Sequence, residues 1–224
     1  MIEISAVPYP FTFVPVHTAL ILIDMQRDFL EPGGFGEMLG NDVSLLRSTI
    51  APCQRVLAAA RSAGMLIIHT REGHRADLSD APPSKLVRGK GPVSIGDLGP
   101  MGRILIRGEP GQGIIPELAP VAGEPVIDKP GKGAFYQTDL AQILTNQGIR
   151  SLLIGGVTTE VCVHTTVREA NDRGFECLVV SDAVGSYFPH FHQVALEMVA
   201  AQGGIFGWVS DSAKVCAALN LITA

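Results

Sequence analysis

Residues 18–23, Thr-Ala-Leu-Ile-Leu-Ile, form an unbroken apolar run of the kind that fills a parallel strand covered on both faces. Similar short runs recur at 65–70, 125–128, 151–154, 176–180 and 205–209, and each predicts a strand. Between them the period changes. Residues 45–62 predict a helix capped by Ser44 and closed by Gly64, and Thr138 caps a second that runs to about Gln147 and stops at Gly148. In 163–173 the residues Val163, Thr166, Val167 and Ala170 fall at helical spacing. Further helices are predicted over 192–201 and from Ser210 or Asp211 to about Leu219. Strands alternating with helices over short connections predict a parallel sheet with helices on both faces, an α/β chain of one domain.

Three stretches do not fit that rhythm. Residues 1–16 are rich in proline and almost uncharged, which predicts an extended arm lying on the domain or on a neighbouring subunit. Residues 25–43 read as loop. Residues 71–113 carry many glycines and prolines, with 104–106 as a possible small strand, and a loop of that length inside a compact domain is usually functional or mobile.

With 224 residues, 46% of them hydrophobic, the chain is long enough to bury one sizeable core. A net charge of −5 supplies no basic field for nucleic acid or an anionic membrane, so a small neutral or cationic ligand is expected. No apolar run reaches the roughly 18–20 residues that cross a bilayer, and the start of the chain lacks the basic region of a signal peptide. The cysteines Cys53, Cys162, Cys177 and Cys216 are widely spaced, without a paired pattern. A cytoplasmic protein with reduced thiols is expected.

Candidate chemistry collects after the predicted strands, at the edge where such sheets bind ligands: Asp24, Lys129 and Cys162 each follow a different one. Cys162 falls at a strand-to-helix turn, where unpaired amides and the helix dipole favour a thiolate of depressed pKa. Amides of the same turn, those of Thr158 and Cys162, suit an oxyanion. Amide hydrolysis by a thiol needs a base that later serves as acid, and a cation beside it; Asp24 and Lys129 fit those roles. No phosphate loop, dinucleotide fingerprint or HExxH is present, so no metal and no cofactor are expected.

The segments Ile-Leu-Ile-Asp-Met-Gln-Arg-Asp-Phe (21–29), Asp-Lys-Pro-Gly-Lys-Gly-Ala-Phe (128–135) and Gly-Gly-Val-Thr-Thr-Glu-Val-Cys-Val (155–163) resemble the three signatures of the isochorismatase-like cysteine hydrolases, over about 18–212. The resemblance implies a Rossmann-like, six-stranded, three-layer αβα fold, a catalytic Asp24-Lys129-Cys162 triad with Lys132 as the competing lysine, and a cis peptide at Val157-Thr158. Segments 69–75, 102–111, 168–174 and 202–207 resemble the biuret- and triuret-hydrolysing branch, which implies ammonia release from a small linear ureido compound, Gln202 on a ureido carbonyl, Phe29 as a pocket wall, and a homotetramer. Phe35, Tyr136 and the Tyr187-Phe188 segment are further candidates for the apolar walls. Gln202 has an equally good reading as a helix-end cap.

Related activities on ureidoacrylate, N-carbamoylsarcosine or nicotinamide are the alternatives. A true isochorismatase does not use a cysteine nucleophile, and 71–74, Arg-Glu-Gly-His, lacks the Asp-x-His metal pair of nicotinamidases. A non-enzymatic redox thiol at Cys162 would need neither Asp24 nor Lys129.

Overall fold

The computed structural model describes residues 1–87 and 91–220. Two short strands, β1 (Ile2–Ile4) and β2 (Phe11–Phe13), precede β3 (Thr18–Ile23). Helices α1 (Arg27–Leu30), α2 (Phe35–Met38), α3 (Val43–Arg47) and the longer α4 (Ile50–Ser62) lead to β4 (Leu66–Glu72). The following loop holds α5 (Pro83–Leu86) and a small hairpin of β5 (Leu98–Gly99) with β6 (Gly102–Arg103). Then come β7 (Val126–Lys129), α6 (Leu140–Asn146), β8 (Ser151–Val157), a π-helical turn (Thr159–Val163), α7 (His164–Asp172), β9 (Glu176–Gly185), α8 (Pro189–Gly204), β10 (Trp208–Ser210) and α9 (Ser212–Asn220).

Six strands form one parallel sheet in the order β10-β9-β8-β3-β4-β7. Alternate side chains separate two cores. Leu20, Leu22, Leu153 and Leu178 pack with residues of α4 and α9 on one face; Ala19, Ile21, Ile154 and Val179 pack with residues of α6, α7 and α8 on the other. From β3 the chain winds out through β4 and β7, then returns to β8 on the opposite side. The strand order therefore reverses between β3 and β8, where parallel sheets open a crevice beyond their carboxyl ends.

Several elements depart from expectation for identifiable reasons. The helix expected over 45–62 is divided at Ser48-Thr49 because Pro52 lacks an N–H and its ring opposes the carbonyl four residues back; Thr49 Oγ1 donates to Leu46 O at 2.7 Å in the break. β4 continues two residues past Thr70, and its pairing with β7 sets Glu72 abreast of Lys129. Residues 104–106 are not a strand. They form a buried plug, Ile104, Leu105 and Ile106 each at most 2% exposed, with Leu105 in the left-handed region at φ 51° and its amide bonded to Asp28 Oδ2 at 3.0 Å.

The first sixteen residues lie on this chain's own domain. β1 and β2 pair as an antiparallel hairpin, Val7 exchanges backbone hydrogen bonds of 2.9 Å with Val209, and the Phe11 ring lies 5.0 Å from Trp208. β8 runs on through Gly155 and Gly156. Gly156 has φ +112°, and a Cβ there would collide with the Ile23 backbone, so this close approach of β8 to β3 requires glycine. α8 starts with Pro189 at its first turn, where a fixed φ suits a helix. Among the described residues no helix is long and apolar enough to cross a membrane.

Candidate active site

Asp24 follows β3 directly, fully buried and held in the left-handed region at φ 51°. Such a conformation costs a non-glycine residue energy and persists only where its surroundings enforce it. Here the Asp24 amide donates to Thr70 O at 3.1 Å, and Thr70 Oγ1 donates to Asp24 Oδ1 at 2.7 Å. The other oxygen, Oδ2, lies 2.7 Å from Lys129 Nζ, an ion-pair contact whose angle leaves that oxygen without an aligned donor. Lys129 spends its hydrogens on Gly131 O at 3.0 Å and Lys132 O at 2.9 Å. Cys162 sits inside the π-helical turn after β8, behind the cis peptide Val157-Thr158 that the sequence motif implied. Asp24, Glu72 and Cys162 bring ligand atoms within 4.8 Å of one another.

The fourth member, Glu72, went unrecognised in the sequence because the strand reading stopped at Thr70. Its carboxylate is 3.8 Å from Cys162 Sγ and 3.9 Å from Lys129 Nζ, and it meets Lys85 Nζ at 2.8 Å and Lys132 Nζ at 3.0 Å. Gln26 fixes the backbone behind it: Gln26 Oε1 accepts from Glu72 N at 2.7 Å, and Gln26 Nε2 donates to Glu72 O at 2.9 Å. Three ammonium groups thus converge on the Glu72 carboxylate, which with Asp24 lies beside the thiol. Lys129, not the competing Lys132, touches Asp24; Lys132 has a half-exposed side chain and bonds Glu72. A cation between the carboxylates is supplied by Lys129 itself.

Burial is the strongest influence on the Cys162 thiol and pushes it up; Lys129 and Lys132 pull it down, while Asp24 and Glu72 oppose them. The resting site therefore holds a neutral thiol, which corrects the depressed pKa expected from helix position alone. Desolvation, which disfavours charge in a buried group, outweighs the dipole. For Lys129 burial acts downward, but the carboxylates of Asp24 and Glu72 offset it and hold the ammonium charged.

Burial alone would raise Glu72, but Lys129, Lys132 and Lys85 overcome it and hold the carboxylate at about 2, against 4.5 ordinarily. A depressed carboxylate stabilises the fold fully above its unfolded pKa and loses that contribution as pH falls toward its folded one. Glu72 should thus contribute stability above about pH 4.5, on the order of 3 kcal/mol, that disappears between about pH 4.5 and 2. Thermal unfolding should give a midpoint nearly flat from neutrality to about pH 5 and falling below it, with a shallower fall in Glu72→Gln. Equal slopes in the two proteins would contradict this.

A model of the isochorismatase domain matches residues 18–214. The chain belongs to the isochorismatase family. Among solved structures, a cysteine hydrolase from Pseudomonas syringae pv. phaseolicola is similar at 26% identity and a TM-score of 0.80, covering 94% of this chain and 96% of that one. An isochorismatase family protein from Desulfovibrio vulgaris is similar at 28% identity and 0.73, over 92% and 97%. The fold is also shared with N-carbamoylsarcosine amidase from Thermoplasma acidophilum, at 24% identity and 0.67, over 87% and 96%.

In this isochorismatase-family chain Cys162 opens onto a cavity of about 230 Å³, lined among others by Phe29, Asn41, Lys132, Glu160, Tyr187 and Phe188. Phe29 and the Tyr187-Phe188 segment take the wall positions expected of them. Phe35 and Tyr136 do not, and Gln202, expected on a ureido carbonyl or as a helix-end cap, stands apart from the cavity. Phe35 lines a neighbouring hollow with Lys85 and Lys132. Tyr136, half-exposed, borders another with Pro82 and Lys132, and Lys132 stands between both hollows and the thiol. Gln202 is exposed at the kink near the end of α8, where the backbone leaves helical geometry, in the left-handed region at φ 53°. α8 begins beside the carboxyl edge of the sheet and rises about 1.5 Å per residue toward the opposite edge, so Gln202 lies far from Cys162. It terminates a helix and does not line the cavity. Glu160, two residues before the thiol, was not singled out in the sequence; its Oε2 is enclosed without a donor among the described residues.

Proposed function

We propose that the protein is a cysteine-dependent amidohydrolase that cleaves a C–N bond of a small neutral ureido compound and releases ammonia. The observation that carries this is the buried Asp24 carboxylate, whose Oδ2 lies 2.7 Å from Lys129 without an aligned donor, in one cluster with Cys162 whose ligand atoms lie within 4.8 Å of one another. As substrate enters, the thiol proton passes to Asp24 and Sγ attacks the carbonyl carbon. The new oxyanion is assigned to the amides of Thr158 and Cys162, since those of Val161 and Val163 are spent on Thr158 O. Collapse breaks the C–N bond, Asp24 returns the proton to the departing nitrogen, and ammonia leaves. Water then adds to the thioester-like intermediate, giving its proton to Asp24, and the thiolate leaves and is reprotonated. Lys129 stays charged throughout.

Glu160 supports the ureido class. An acceptor without a donor on the wall of the cavity favours a ligand that brings N–H groups, and leaving it unpaired costs on the order of 1–3 kcal/mol. Its uncompensated charge also disfavours anionic ureides such as ureidoacrylate or N-carbamoylsarcosine. Biuret and triuret, neutral and planar, therefore head the series. Ammonia release from biuret, triuret, ureidoacrylate, N-carbamoylsarcosine and nicotinamide, measured side by side, should favour one of the two linear ureides in kcat/KM by roughly 10- to 100-fold. A higher value for an anionic ureide or for nicotinamide would contradict the substrate class, and no ammonia from any of them would contradict the activity.

A further inference from the structure

The long loop after β4 contributes one side chain to the neighbourhood of Cys162 without lining its cavity. Lys85, from α5, turns inward so that its side chain is only 14% exposed. Its ammonium is held by three acceptors of different kinds: Glu72 Oε1 at 2.8 Å, the ring nitrogen Nε2 of His74 at 2.9 Å and Pro130 O at 2.6 Å. For His74 to accept at Nε2 its proton must be on Nδ1, which faces Asp80 Oδ1 at 3.2 Å; Asp80 in turn meets Arg107 at 3.0 Å. Such a cradle fixes the position of the charge. A surface lysine has no need of it, and burying an ammonium is costly unless its partners are good.

We propose that Lys85 is a positioning residue for the reaction at Cys162, acting through Glu72. Glu72 is where the lysines converge: Lys129 from the end of β7, Lys132 from the turn after it and Lys85 from α5, with the Cys162 thiol at 3.8 Å and Asp24 in the same cluster. Lys132 borders the cavity with a half-exposed side chain bonded to Glu72. Lys85, held by three acceptors, does not border the cavity, so it remains as the constant counter-charge that holds Glu72 in place when a ligand engages Lys132. Groups that orient a reacting group from behind typically contribute 10- to 100-fold. This also gives the 73–113 loop a task, because its Ile104-Leu105-Ile106 plug, anchored to Asp28, and His74, paired with Leu105 O at 2.8 Å, hold the segment that delivers Lys85.

The inference rests on the proposed reaction at Cys162, but its test need not. Lys85→Met, Lys85→Gln and Lys85→Arg would be compared with the parent in two assays: ureide turnover against pH, and the rate of Cys162 alkylation by iodoacetamide against pH, with the other cysteines replaced. Loss of the cation that pairs with Glu72, itself 3.8 Å from the thiol, should move the alkylation profile of Lys85→Met to higher pH by about one unit, a roughly tenfold slower rate at fixed pH. Its kcat should fall about 10- to 100-fold with KM little changed, and its acid limb should move up; Lys85→Arg should recover part of both. Should Lys85→Met fold poorly, Lys85→Gln, which keeps a donor, should show the same displacement in smaller measure. An alkylation profile unchanged in every folded variant overturns the inference, as does a kcat loss that only follows the fraction folded. Failure of the parent to release ammonia from any ureide would instead strike the proposed function, and the alkylation profiles would still decide the role of Lys85.

Discussion

Cys162→Ser is expected to fold as the parent does and to release no measurable ammonia from any ureide, while Asp24→Asn and Lys129→Met each lose turnover by a factor on the order of 10³ or more. The losses should not add: once the sulfur is gone, removing Asp24 as well should change nothing further, as for groups that act as one unit. Serine presents a hydroxyl of much higher pKa in a site where burial already pushes the thiol up, and Asp24 cannot deprotonate it effectively. Asn in place of Asp24 keeps the bond from Thr70 Oγ1 but cannot carry a proton from thiol to nitrogen. Lys132→Met should be the milder variant, since Lys132 reaches Glu72 and not Asp24. An active Lys129→Met beside a dead Lys132→Met would reverse the assignment of the two lysines.

The second large effect is expected at Glu72. Removing its carboxylate leaves Lys85, Lys129 and Lys132 converging on an empty position, and breaking a buried ionic cluster at one partner typically costs about 3–5 kcal/mol. Glu72→Ala should therefore lower the unfolding free energy by roughly that amount, read from urea midpoints at neutral pH with an unchanged slope. Glu72→Gln keeps the shape and one acceptor oxygen, so it should lose less stability but still lose most of its turnover, because three ammonium groups would then bias Asp24 and the thiol without their counter-charge. Glu72→Ala with parental stability would mean that the lysines are satisfied elsewhere.

The sheet was legible because each of its strands contains a short apolar run, and the positions of Asp24, Lys129 and Cys162 because each comes after such a run. Asp24, Lys129 and Cys162 needed only the ends of three strands to be placed roughly. Glu72 was hidden by two residues: Arg71 and Glu72 are polar, so the apolar run stops at Thr70, yet pairing with Asp128 and Lys129 continues the strand. Lys85 lies in a segment without periodicity, where no pattern indicates which lysine turns inward. Of the two readings of Gln202 the helix-end one fits, because α8 carries the chain from the carboxyl edge of the sheet to the other. For Tyr136 the local cue was a neighbouring glycine: its ring covers Gly131, outside the cavity. The raised thiol pKa had no sequence signal at all, since it depends on how completely the folded chain excludes water from Cys162.

Covalent catalysis by Cys162 is tested most directly by mixing parent protein with the best ureide, quenching in acid within the first turnover, and locating any added mass by peptide mass spectrometry. An acyl group on the peptide containing Cys162, formed together with the first ammonia and absent from Cys162→Ser, is the predicted result. Ammonia release with no adduct in the parent, or an adduct on another residue, would contradict it.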